Sequence, residues 1–105
     1  MILSTTFEVA GRNIGAHLGL ARGNVVRSRF FGRDIIANFR MAIGGEIHEY
    51  TKLLAESREQ ALDRMIENAR AMGADAVIGV RMNATDAGRG LATEVLAYGT
   101  AVKLS

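Results

Sequence analysis

The sequence predicts an α+β fold of order ββααββ, with a mostly antiparallel sheet and one short and one long helix packed on it. Three observations predict it. Apolar residues recur at every second position near both ends of the chain, and at every third and fourth position between Phe31 and Met72. Glycine marks the changes from one period to the other. The 105 residues contain no proline, repeat or low-complexity stretch, so they read as a single domain, 1–105.

Leu3, Thr5, Phe7 and Val9 alternate with Ser4, Thr6 and Glu8, the pattern of a half-buried strand, and Gly11-Arg12-Asn13 supplies a turn. A second strand places Ile14, Ala16, Leu18 and Leu20 on one face. Its other face is Gly15, His17, Gly19, Ala21 and Gly23, and glycines in a strand mark the close approach of a backbone or a ligand. Phe31, Ile35, Ile36, Phe39, Ala42 and Ile43 then fit a short amphipathic helix with Asp34 near its start, broken by Gly44-Gly45.

A long helix is expected from about residue 46 to 72. Glu46 and Glu49 sit in its first turn, Arg70 in its last, and Gly73 where a left-handed cap belongs. Residues 74–80 are nearly all apolar and too short for another helix, as in a strand covered on both faces. Residues 86–90 read as a loop. In the last strand Leu96, Tyr98, Thr100, Val102 and Leu104 face one way. The small Val95, Ala97, Gly99 and Ala101 face the other, where a helix can pack.

Composition bounds the function. Hydrophobic residues make up 49% and the mean hydropathy is +0.11, more apolar than so short a chain buries, so part of its surface is expected to meet a partner chain. The absence of cysteine excludes disulfides, thiolate metal sites and cysteine nucleophiles. No apolar run reaches the roughly 18 residues of a membrane span, and no basic start precedes an apolar stretch, so no membrane or signal segment is expected and the expected location is cytoplasmic. The net charge of +2 divides as +4 over residues 1–45, −2 over 46–73 and zero over 74–105. Eleven of the thirteen cations are arginine, which suits planar anions and interfaces, but +2 by itself does not argue for nucleic acid.

The ordered set Ser4-Thr5-Thr6, residues 31–36 with Arg40, Gly44-Gly45, Tyr50, Ala55, Arg58, Ala61, Gly73-Ala74-Asp75-Ala76-Val77, Gly79 and Gly99-Thr100-Ala101-Val102 resembles the YbjQ-like family of small bacterial proteins, a family that carries a heavy-metal-binding label. The resemblance covers essentially the whole chain. It implies a YbjQ-like or dodecin-like subunit that assembles into a ring, a homopentamer, and it implies no reaction.

The metal label meets few ligands in the residues. Soft metals want sulfur and borderline ions want Cys or His, yet only His17 and His48 are present, and Met41, Met65 and Met72 fall where helix core belongs. His48-Glu49-Tyr50-Thr51-Lys52 begins like a helical zinc motif, but Lys52 occupies the second histidine's place. One subunit thus lacks three convergent ligands, although a ring could gather one histidine from each. His17, between Gly15 and Gly19, is the candidate anchor of a small-ligand or divalent-metal pocket, and a helix or neighbouring subunit packing on those glycines is the plainer account. Asp75 is a candidate ligand or acid–base group, or else a carboxylate that satisfies loop amides.

Enzyme signatures are missing: there is no Gly-x-Ser-x-Gly elbow, and Gly88-Arg89-Gly90 does not continue as a phosphate loop. Arg27-Ser28-Arg29-Phe30-Phe31-Gly32-Arg33 mixes cations and aromatics as single-strand binders do, but such arginines also pair with acids on a following helix, and a nucleic-acid partner is not expected. The leading expectation is a ring-forming binding or assembly module rather than an enzyme. The alternative is a metal or small-ligand binder whose site is completed between subunits.

Overall fold

A computed structural model describes residues 1–28, 48–87 and 92–105. Its elements are β1 (Ile2–Leu3), β2 (Ile14–Ser28), α1 (His48–Ala71), β3 (Ala76–Ala87) and β4 (Ala92–Leu104). The strands form one sheet in the order β1-β3-β4-β2, with β1 parallel to β3 and the other two pairings antiparallel. The described chain is therefore one helix on a mixed four-stranded sheet. The expected short helix at 31–43 lies outside the described residues.

Helix α1 packs through a row of mostly small side chains. Ser57, Ala61, Met65 and Ala69, each four residues from the next, are fully buried, and the Ser57 hydroxyl is satisfied by donating to the Leu53 carbonyl at 2.7 Å. This row lets the helix backbone lie directly on β2. A Cβ at Gly23 would collide with the main chain at Met65 and Ala61, so only glycine fits there. The helix ends as its sequence indicates. Gly73 has φ +83°, its N–H bonds the Arg70 carbonyl at 2.9 Å, and the Ala74 N–H reaches back to Ala69 at 3.1 Å.

Against the helix lie Ala21 and Val25 of β2, Val77 and Val80 of β3, and Val95, Ala97 and Ala101 of β4. The alternation along β4 is the expected one, small residues toward the helix and large ones away. The outer face holds a smaller cluster, Ala76, Ile78, Val102 and Leu104, covered by Val9 and Ile14.

Two expectations are corrected. The first strand is only Ile2–Leu3 and does not continue to Val9. Beyond it, Ser4 Oγ donates to the Glu8 carbonyl at 3.2 Å and Thr6 Oγ1 does so at 2.9 Å, local bonds that draw the chain out of a straight ladder. The Thr6 carbonyl still accepts from Gly79, whose φ of +61° bends β3 to meet it. Second, β3 runs on through Asp86 and Ala87, held by its register against β4, where a loop from 86 was expected. On β2 the helix buries the Gly/Ala side from Gly19 onward, while Leu18 and Leu20 are exposed. Small side chains there mark a close backbone, not a vacancy.

Candidate functional site

The expected site centred on His17, with Gly15, Gly19, Asp75 and the second histidine His48. Two irregularities in β2 separate the first three. The register to β4 slips between Ile14 and Ala16 and again between His17 and Gly19. His17 therefore opposes Val102, which belongs to the outer-face cluster, and Gly19 opposes Ala101, which packs toward the helix. The shared face read from simple alternation is broken by these bulges. The His17 side chain is exposed and has no hydrogen bond or ion pair among the described residues.

The two glycines have structural neighbours. A Cβ at Gly15 would stand 3.2 Å from the Ser105 Cβ and 3.4 Å from the Lys103 carbonyl, against the last strand. Gly19 has φ +124°, a conformation suited to glycine at a bulge, and a Cβ there would meet the Met72 methyl at 3.4 Å. Asp75 lies where α1 hands over to β3. Its Oδ2 accepts the Leu104 N–H at 2.9 Å and its Oδ1 the Lys103 ammonium at 3.4 Å. The Leu104 amide is the largest influence holding its carboxyl below the usual aspartate value, with Lys103 and Arg12 adding to it against some desolvation. Asp75 thus ties the end of β4 to the start of β3, the amide-satisfying role weighed for it above.

His48 is the first residue of α1, so the zinc-like pentapeptide begins the helix. Among the described residues no three His, Asp or Glu side chains gather as a metal would need. An open dent of about 380 Å³ runs along Glu8, Val9, Ala10, Gly11, Arg12, Asn13 and Ile14, and none of the expected site residues lines it. Of the mixed cation–aromatic segment, Arg27 is described. It bonds Glu56 at 3.1 Å and Gln60 at 2.8 Å on α1, the helix pairing its position allowed. Residues 29–33 lie outside the described residues.

Two features escaped the sequence reading. Asn68 Oδ1 accepts the Arg22 N–H at 2.9 Å, and Arg64 donates to the Asn24 carbonyl at 2.8 Å, so helix side chains occupy the outer edge of β2. Their outward position on α1 was the available signal. The second is a row across the outer sheet face, Arg22, Tyr98 and Arg81, which becomes visible only once strand order and register are known.

One helix on a four-stranded sheet defines a small two-layer α+β protein. The sequence model of a family described as "Putative heavy-metal-binding" matches residues 1–105. The chain is 48% identical to a UPF0145 protein of Methanosarcina acetivorans, covering 99% of this chain and 97% of that one. It is 49% identical to a UPF0145 protein of Photobacterium profundum (99% and 100% covered) and 51% identical to one of Thermotoga maritima (99% and 97%). This chain belongs to that family, the YbjQ-like group that its residues resemble. The archaeal relatives correct one expectation, since the family is not confined to bacteria. A crystal structure of a protein of unknown function from Pediococcus pentosaceus, assigned to the DUF74 family, shares the fold. Its TM-score is 0.71 at 17% identity, over 100% of this chain and 98% of that one.

Proposed function

We propose that this protein is a homo-oligomeric assembly module of the cytoplasm, its subunits closing into a ring of five, and that it works by binding rather than by catalysing a reaction. The observation that carries self-association is shape. The chain measures 55 × 22 × 18 Å with a radius of gyration of 17.1 Å, where a compact domain of this length has about 13 Å. Its surface is 6724 Å², against about 5,700 Å² for a compact monomer of its mass. The excess comes with apolar side chains left outside: Leu20 is 58% exposed, Val26 61% and Met82 41%.

Edges point the same way. The outer edge of β2 is taken by Asn68 and Arg64, but β1 covers β3 only at Ala76 and Val77. Among the described residues no strand pairs with the outer edge of β3 from 82 to 87, and a second copy would relieve that exposure. The number five rests on the family resemblance alone. No described helix is long and apolar enough to cross a membrane, consistent with a module that works off it.

A second reading, a divalent-metal or small-ligand site completed between subunits, is favoured by the unpartnered, exposed His17, with His48 as the other nitrogen ligand. Native mass spectrometry before and after a chelator separates the two. The assembly reading predicts a pentamer of 11.3 kDa subunits unaffected by chelation. Stoichiometric metal that leaves with the chelator, and is lost in a His17→Ala, His48→Ala double variant, would establish the second. A folded monomer without cargo would refute both.

A further inference from the structure

Beyond the cover of Val9 and Ile14, the outer sheet face has a character of its own. Register sets Arg22, Tyr98 and Arg81 side by side across β2, β4 and β3, with Asn24, Leu96 and Asn83 in the next row. Their chain neighbours Ala21, Val25, Val80 and Ala97 point to the helix, so these six project from the opposite side. The Arg22 guanidinium has no hydrogen bond or ion pair among the described residues. Arg81 donates to the Thr5 and Val80 carbonyls at 2.9 and 2.8 Å and meets no carboxylate among the described residues. Phe7, 71% exposed, lies against Gly79, two residues along β3 from Arg81, where an added Cβ would stand 2.7 Å from its ring.

Guanidinium groups without acids call for an anion, and rings beside them call for a flat partner. Free nucleotides are held in concave pockets, whereas this is strand surface several rows long, open among the described residues. We propose that this face binds single-stranded nucleic acid, bases stacking on Tyr98 and Phe7, phosphates meeting Arg22 and Arg81, and the Asn24 and Asn83 amides facing base edges. A four-stranded sheet backed by helix is a known platform for such stacking. The net charge of +2 hides this local arrangement, because the acids cluster on α1. Glu94 is a carboxylate on this face, opposite Val26 and Thr85, and its Oε2 accepts from Asn24 at 3.3 Å. It limits how far along β4 the phosphates can run.

The test is fluorescence anisotropy of a labelled twelve-nucleotide oligouridine with the full chain in low salt. Tyr98→Ala weakens binding about tenfold while Tyr98→Phe retains it, since stacking needs the ring and not the hydroxyl. Arg22→Ala weakens binding and lowers the salt slope by about 0.7, the value of one single-strand phosphate contact. Glu94→Gln tightens it. Light scattering on the same samples reports assembly separately, so this proposal and the ring can fail independently. Absence of binding by the folded wild-type protein would overturn it. So would equal binding by wild type, Tyr98→Ala and Arg22→Ala, or competition by uridine monophosphate at the same nucleotide concentration, which would mark a mononucleotide site.

Discussion

On the helix side of the sheet Ala21, Ala97 and Ala101 are fully buried, while on the outer side Leu20 is 58% exposed and Val26 61%. The smaller residues are the covered ones. On the inner side a helix backbone lies close enough that Gly23 admits no side chain, so burial there comes from proximity and not from bulk. On the outer side the segment carrying Val9 and Ile14 reaches only the end of the sheet built by Ala76, Ile78, Val102 and Leu104. The rest carries large apolar, aromatic and basic groups with nothing from the described residues above them. One face is completed by the chain itself, and on the other the described residues leave large side chains uncovered.

Substitutions on the two faces should therefore differ most in what they damage. Gly23→Val has the largest expected effect, because its side chain would overlap the α1 main chain; a loss of at least about 3 kcal/mol, or failure to fold, is expected from urea unfolding. Met65→Ala, which empties the largest fully buried side chain beneath the helix, should lower stability by about 3 kcal/mol in the same assay. Gly73→Ala should lower it by about 1 kcal/mol, since φ +83° disfavours a Cβ although space is open there. If these inner changes proved as mild as surface ones, the contrast between the faces would be wrong.

Asp75→Asn should act through pH. The folded carboxyl titrates below the usual aspartate value of 3.8, so its contribution is present above that value and is lost as pH falls through the lower folded one. Melting temperatures should fall more between pH 5 and strong acid in wild type than in Asp75→Asn, which is less stable at neutral pH and lacks this component. Smallest for folding is Met82→Ser at the unpaired edge of β3, within about 0.5 kcal/mol in the dissociated subunit. Its effect should appear instead in assembly, measured as a dissociation constant raised at unchanged subunit stability.

Much of the fold is legible in the residues because period and burial agree. The β4 alternation, the α1 stripe and the Gly73 cap all follow from local chemistry, and each is present. What failed on β2 and at the N-terminus failed for identifiable reasons. A bulge leaves no mark in a strict period-two reading, so the slip at His17–Gly19 took His17 off the face expected to hold it with Gly19, Ala21 and Gly23. Ser4 and Thr6 alternate like strand residues, yet their hydroxyls bond nearby carbonyls and end β1 at Leu3. Around the candidate site, the residues correctly suggested that Asp75 could satisfy amides and that Arg27 could pair with helix acids. They could not place Arg22 beside Tyr98, because 76 positions separate them and only register unites them.

Sedimentation equilibrium at micromolar concentration and on serial dilution tests the claim that this chain self-associates. The expected result is a single species of about 56 kDa, five subunits of 11.3 kDa, that resists dilution. An 11.3 kDa species that stays folded at every concentration would contradict it; a stable dimer would keep self-association and refute the pentamer.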